Sequence, residues 1–147
     1  MNMRVSLFED TEEYFLKNIK TRHSKICNDE RMKKLIVKTL FRLPKDVRKK
    51  VLREVYFIYS SCPGVSTAID IKYFVGPMII LNFQKIRKKK RMDIITHEIA
   101  HFILNHYGNE KISKENKERD ADNLTEKWGF KKAYTEKQYK EIERKIF

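Results

Sequence analysis

The chain is poor in the residues that break or cross-link a fold. It has four glycines, three prolines and two cysteines in 147 residues. So little Gly and Pro argues against a disordered or fibrous chain. Cys27 and Cys62 make neither a disulfide framework nor a CxxC zinc motif, so both are expected to be ordinary small apolar residues. Cysteine usage of this kind agrees with a reducing cytoplasm.

Long apolar runs are also missing. The longest apolar stretches are broken by Lys or Arg before they reach the roughly 20 residues that span a bilayer. The N-terminal sequence MNMRVSLFEDTEEYF turns acidic before a secretory segment can form. We therefore expect neither a membrane span nor a signal peptide. The length and the hydrophobic content of 41% predict a single packed domain over residues 1–147.

Positive charge is in excess and is unevenly distributed. The net charge is +13, from 33 Lys and Arg against 20 Asp and Glu. Residues 93–147 carry 11 charges of each sign, so the whole excess precedes them. Residues 17–53 alone carry 14 basic and three acidic side chains, and the run RKKKR follows at 87–91. Solvated helix faces would explain this distribution, and so would an acidic partner such as nucleic acid.

Hydrophobic periodicity predicts an α+β domain in the order helices, strands, helices. The basic segment 1–62 is expected to form three helices. Asp10 is expected to cap the first, Asn28 or Asp29 the second, and Pro44 to lie in the first turn of the third. The third helix is expected to follow one apolar stripe up to about residue 60, made of Val47, Val51, Val55 and Ile58.

Two strands and three further helices are expected after this segment. Ser113 has the character of a helix cap, and Thr135 and Gln138 have the spacing of a capping box. The predicted elements are strands at 65–71 and 78–83, in a region reaching to about 86, and helices at about 92–107, 114–128 and 135–147.

The sequence HEIAH at 97–101 carries the clearest chemical signal. His97 and His101 are four residues apart in a predicted helix, so both imidazoles lie on one face and can reach one metal ion. Imidazole and carboxylate ligands suit zinc, and three protein ligands leave one position open for water. Glu98 is beside the first histidine, where it can act as general base on that water.

A third ligand is expected in the sequence ERDAD at 118–122. The metzincin pattern is excluded, because Leu104 and Tyr107 occupy the positions of its Gly and third His. A carboxylate on an inward helix face needs a strong partner, and zinc is one. Asp122, one turn on, can accept a hydrogen bond from a ligating histidine. The inward face comprises Glu118, Ala121, Asp122, Thr125 and Trp128.

Two alternatives at these motifs stay open. Asp120 would replace Glu118 as the ligand if the helix phase differed, although it lies off the inward face. His106, five residues after His101, lies off the metal face and is expected to be exposed or to cap the helix.

HEIAHFILNH followed by ERDAD resembles the gluzincin zinc metallopeptidases, whose third zinc ligand is a Glu on a second helix. The short spacing and small size are most similar to the minigluzincins, and the ImmA/IrrE peptidases have a similar pair of motifs. The resemblance covers about residues 78–128. It implies Glu98 as base and acid, Asp122 as support for a ligand, and three zinc ligands: His97, His101 and Glu118.

The resemblance also implies a function. It predicts a zinc-dependent peptidase that binds an extended peptide along 78–83 or a neighbouring strand. Because minigluzincins include latent forms, the C-terminal helix over 135–147 is expected to occlude the cleft in the same or a neighbouring molecule. A Tyr or His usually stabilises the oxyanion in gluzincins, and none of three candidates is favoured here: Tyr107, Tyr134 and Tyr139.

A second hypothesis is a basic module that binds nucleic acid, with a structural or inactive zinc site. Residues 17–53 and 87–91 would contact phosphates, although they lack interleaved aromatics and a known docking motif. The hypothesis predicts binding to duplex DNA or RNA at about 50 mM salt that weakens steeply as salt rises, because counterions are released. Fluorescence anisotropy measures this, and no binding at about 50 mM salt would contradict it.

Overall fold

The protein has an α+β fold, seen in a computed structural model that describes residues 7–21, 30–59, 67–71, 76–83, 86–106 and 110–144. In these ranges the elements are α1 (Glu12–Asn18), β1 (Lys20–Thr21), α2 (Glu30–Phe41), α3 (Lys45–Glu54), β2 (Tyr56–Tyr59), β3 (Thr67–Ile71), β4 (Gly76–Leu81), α4 (Arg91–Ile103), α5 (Lys114–Lys127) and α6 (Glu136–Arg144). A short 3-10 helix at Lys88–Lys90 leads into α4. None of the helices in these ranges has the length and apolar character of a membrane span.

The strands form one mixed sheet in the order β1-β2-β4-β3. β1 with β2 and β2 with β4 pair in parallel, whereas β3 and β4 are antiparallel. The two strands predicted from the sequence correspond to β3 and β4. The nearly continuous apolar run in β4 fits its position between two neighbours, and Met78, Ile79 and Leu81 are buried. Residues 78–81 therefore offer no free edge to a peptide, whereas the neighbouring strand β3 lies at an edge.

The prediction of a third helix up to about residue 60 was wrong at its C-terminal end. α3 ends at Glu54, and Val55 is extended, with φ −96° and ψ 134°. Ile58 belongs to β2, whose β-branched and aromatic residues favour a strand. Val47, Val51 and Val55 are buried as the helical stripe predicts, so periodicity alone did not separate helix from strand. Residues 56–59 form a strand and not a helix because they pair with β1 and β4.

The cap predicted for the first helix was also wrong. Thr11 caps α1, and its hydroxyl accepts a hydrogen bond from the Tyr14 N–H at 3.2 Å. Asp10 instead binds Arg48 of α3 with both carboxylate oxygens, at 2.8 and 2.5 Å. The hydrogen bond from Arg48 lowers the pKa of Asp10. The carboxylate is thus used to hold the N-terminal segment against α3.

Other predicted helix ends agree more closely. Pro44 directly precedes α3, and Ser113 caps α5 by accepting from the Asn116 N–H at 3.2 Å. Thr135 and Gln138 form the predicted capping box, each backbone N–H donating to the other side chain at 2.8 and 3.3 Å. Four residues with predicted roles lie outside the described residues: Cys27, Asn28, Asp29 and Cys62.

α4 ends four residues earlier than predicted. Its last residue is Ile103, and Asn105 has a positive φ of 53°, which turns the chain back. The predicted end of this helix, at about residue 107, lies outside the described residues. This early turn determines where His106 lies.

Burial of α4 sets the direction of its functional side chains. The helix packs against α2, α5, β3 and β4. Ile95, Ile99 and Phe102 belong to the main hydrophobic core, and the first two are fully buried. Because these apolar residues fix the rotation of α4 about its axis, the opposite helix face is directed towards α5.

Candidate metal centre

Two histidines and a glutamate converge between α4 and α5. The Nε2 atoms of His97 and His101 are 3.0 Å apart. An oxygen of the Glu118 carboxylate lies 2.7 Å from the first and 3.1 Å from the second. The three ligand atoms all lie within 4.8 Å of one another, so this group can hold a metal ion.

Helix geometry explains how the two imidazoles meet. His97 and His101 are one turn apart on α4, and their ring centroids are 4.7 Å apart at an interplanar angle of 87°. Glu118 reaches the same point from α5, whose Ala121 and Thr125 are buried on the predicted inward face. Asp120, the alternative ligand, is exposed and is not part of the group.

Asp122 holds the far side of the first histidine. It is fully buried, and its Oδ1 lies 2.8 Å from the Nδ1 of His97. An ionised carboxylate only accepts, so the Nδ1 of His97 carries the proton and donates. The Nε2 atom that faces Glu118 is then free to bind a metal. This is the contact expected of Asp122 from its position one turn after Glu118.

His106 caps the C-terminal end of α4 through its backbone, as one of the two expectations held, but it is not exposed as the other held. It is only 6% exposed, and its Nδ1 lies 2.9 Å from the Nδ1 of His101. Its backbone N–H donates to the carbonyl of His101 at 3.2 Å. If α4 continued as a helix beyond Ile103, His106 would lie on a different face from His101. The turn at Asn105 returns the ring to the site.

Both metal-facing histidines therefore have a buried partner at Nδ1. If the Nε2 of His101 binds a metal, its Nδ1–H donates to His106, whose own proton is then on Nε2. The sequence did not predict the contact of His106 with His101, because residues five apart on a continuous α-helix do not lie on the same face. No signal in the sequence identified it, since the helix predicted at about 92–107 includes His106.

The electrostatics of the cluster favour a cation. Burial opposes a positive charge on His97, yet hydrogen bonds to Asp122 and Glu118 raise its pKa to about 10. Burial also opposes a negative charge on Glu118, yet hydrogen bonds from His101 and His97 lower its pKa to about 2. The carboxylates thus create a site that is negative enough to bind a proton tightly, and the same field attracts a metal ion.

Glu98 is buried beside this cluster without belonging to the three ligands. Burial raises the pKa of its carboxyl, the nearby His97 and His101 lower it, and Glu118 raises it further. The net direction is upward. A carboxyl with a raised pKa is suited to take up a proton and return it near neutral pH.

Two of the three candidate tyrosines lie near the site, and Tyr107 is outside the described residues. The ring of Tyr134 packs edge-on against that of His97, with centroids 5.6 Å apart. Burial and the carboxylates of Glu118 and Glu98 raise the pKa of its hydroxyl, which therefore remains protonated. Tyr139 is buried, and its hydroxyl donates to Asp122.

Comparisons of the chain with protein-family models, with curated proteins and with solved structures find no match. The chemistry of the cluster is therefore the basis for a function. Two imidazoles and a carboxylate form a metal-binding group, a buried carboxyl lies next to it, and a protonated phenol packs on one imidazole. These are the groups that metal-assisted hydrolysis uses.

Replacing His106 with Ala removes the acceptor for the Nδ1–H of His101. We expect the affinity for Zn²⁺ to fall by about 10- to 100-fold, as is typical for the outer partners of metal-binding histidines. Competition with a chromogenic chelator measures this. His106→Gln keeps an acceptor and should lose less, and the exposed neighbour Leu104→Ala should bind as wild type. Equal affinity of His106→Ala and wild type would contradict the assignment.

Proposed function

We propose that this chain is a zinc-dependent peptidase of the gluzincin type. The single observation that carries the proposal is the convergence of His97, His101 and Glu118, with Glu98 buried alongside. Sequence spacing predicted this set from two helices, and the ligand atoms of those helices come within 3.1 Å of one another. Among gluzincins, this chain is most similar in its small size to the minigluzincins.

The donor set suits zinc. Two imidazole nitrogens and one carboxylate oxygen are its usual catalytic ligands, and three protein ligands leave a further position open. Ligands at about 2.0–2.1 Å in a tetrahedron lie roughly 3.3 Å apart. The three separations here are 2.7, 3.0 and 3.1 Å, so side-chain shifts of a few tenths of an ångström accommodate the ion.

A buried ion-pair network is the competing explanation for the cluster. It accounts for His97 between two carboxylates, but less well for the two Nε2 atoms that face each other at 3.0 Å. When both imidazoles are neutral and each donates from Nδ1, both Nε2 atoms and the Glu118 oxygen direct lone pairs to one point. A divalent cation satisfies all three lone pairs at once, whereas a shared proton does not.

The chain's own groups can perform the proton transfers of peptide hydrolysis. A zinc ion held by His97, His101 and Glu118 would polarise a peptide carbonyl and lower the pKa of water towards about 7. Glu98, with its raised pKa, takes a proton from the attacking water and delivers it to the leaving amine. Tyr134 retains its proton, and because its ring packs against that of His97 its hydroxyl can donate to the developing oxyanion.

An extended peptide has a place to bind at the edge of the sheet. β3 is an edge strand and packs against α4, the helix that carries His97 and Glu98. Among the described strands, β3 has a neighbour on one side only, so a peptide could pair along its other side, next to the helix that carries the metal ligands. Main-chain pairing of this kind binds peptides with little dependence on side chains.

Replacing Glu98 with Gln tests the proposed mechanism. The amide keeps the size of the side chain and cannot take up a proton. We expect zinc content to remain stoichiometric and kcat to fall by about 10²- to 10⁴-fold, the range for loss of a general base. Metal analysis and hydrolysis of a quenched fluorescent peptide library measure the two effects. The exposed Glu126→Gln on α5 is the matched control.

Two results would contradict the proposal. One is a purified wild-type protein that binds no stoichiometric zinc. The other is a Glu98→Gln variant that cleaves peptide at the wild-type rate.

An acidic partner is a second candidate function, compatible with the first. Basic residues on α2, α3 and the 3-10 helix are exposed, in contrast to the charge-balanced region of the site. Such a surface can attract nucleic acid or an acidic substrate. Arg48 does not contribute freely, because it is paired with Asp10. The exposed lysines of these three elements are Lys34, Lys38, Lys45, Lys49, Lys50, Lys88, Lys89 and Lys90.

Deleting the chain from Thr135 onward tests whether the proposed enzyme is latent. If the C-terminal helix occludes the cleft, the peptidase rate per bound zinc should rise. Zinc content must be measured in the same sample, because the deletion also removes Tyr139, which binds Asp122. An unchanged or lower rate per bound zinc would contradict occlusion.

A further inference from the structure

Asp122 is the centre of a hydrogen-bond cluster that joins α5 to the C-terminal segment. Its Oδ1 accepts from the His97 Nδ1–H and from the Ala133 N–H, both at 2.8 Å. Its Oδ2 accepts from the Tyr134 N–H at 3.1 Å and from the hydroxyl of Tyr139. An ionised carboxylate has about four acceptor positions, and this one fills them all.

Three of these four donors come from residues 133–139. A carboxylate rotates easily about its last bond unless both oxygens are held. Here Tyr134 and Tyr139 hold Oδ2, which leaves Oδ1 directed at His97. The orientation of the first ligand histidine therefore depends on a segment that contributes no ligand itself.

Arg119 of α5 fixes the position of Tyr139. Its guanidinium lies 4.4 Å from the centroid of the Tyr139 ring. It also binds Glu115 of α5 at 2.8 Å and Glu136 of α6 at 2.9 Å, which connects the two helices. Tyr139 is thus enclosed between Arg119 at its ring and Asp122 at its hydroxyl, and it is only 2% exposed.

We propose that Tyr139 is a positioning residue for the metal centre, through which α6 holds Asp122 and thereby the ring of His97. The inference rests on the metal site of the proposed function and not on its peptidase activity. It gives the C-terminal helix a supporting role. By linkage, metal binding at His97 stabilises the docking of α6 to the same extent that docked α6 stabilises the metal.

Tyr139→Phe separates the hydroxyl from the packing. Phenylalanine keeps the ring and its contact with Arg119, and loses only the hydrogen bond to Asp122. In full-length protein we expect about tenfold weaker Zn²⁺ binding by chelator competition, at the lower end of the effect of outer ligand partners. Tyr14→Phe, on the distant helix α1, is the matched control and should bind as wild type.

A spectroscopic readout distinguishes positioning from general stability. The Nδ1–H proton of His97, hydrogen-bonded to Asp122, should give a low-field NMR signal in metal-free and zinc-loaded protein. In Tyr139→Phe we expect this signal to shift upfield and exchange faster, together with a fall of only a few degrees in the melting temperature of the metal-free protein from the loss of one buried hydrogen bond. Asp122→Asn should produce a larger change in the same direction.

Wild-type zinc affinity together with an unchanged His97 signal in Tyr139→Phe would overturn the inference. A wild-type protein that binds no zinc would overturn it together with the proposed function. A wild-type protein that binds zinc but cleaves no peptide would contradict the proposed function alone. In that case the tenfold loss of affinity and the shifted signal would still support the role of Tyr139.

Discussion

Burial of ionisable groups at the contact between α4 and α5 is the constraint that organises this structure. His97, Glu98 and Asp122 are all removed from solvent, and each buried ion costs several kcal/mol unless it is paired. The fold satisfies this requirement by directed partners. Asp122 is saturated with donors, and His97 is held between two carboxylates. Because the apolar face of α4 is fixed in the core, the side chains on its polar face must find hydrogen-bond partners at the positions where they lie.

This constraint also explains how the charges of the chain are divided. Around the site, His97 and His101 pair with the carboxylates of Glu118 and Asp122, and residues 93–147 are balanced overall. The excess cations are on α2, α3 and the 3-10 helix, where many are exposed and need no fixed partner. The proposed metal-dependent reaction and the proposed attraction to an acidic partner would therefore depend on different parts of the molecule.

Local features were predicted well where neighbouring residues decide them. The caps at Ser113 and Thr135 and the inward face of α5 depend on side chains within one turn. β2 was mistaken for helix because Val47, Val51 and Val55 fit a helical stripe, and only pairing with distant strands makes Tyr56–Tyr59 extended. The cap at Asp10 failed for a similar reason, since Arg48 competes for its carboxylate.

For the site, sequence spacing alone determined which face carries His97 and His101 and that Glu118 and Asp122 share one turn of another helix, because helix periodicity fixes such relations. Tertiary structure decided that the two faces meet within 3.1 Å, that His106 turns back onto His101, and that Tyr139 reaches Asp122. These contacts depend on where α4 stops and on how α6 docks. The first is set by the turn at Asn105, which helix periodicity does not reveal, and the second by packing between segments far apart in the chain.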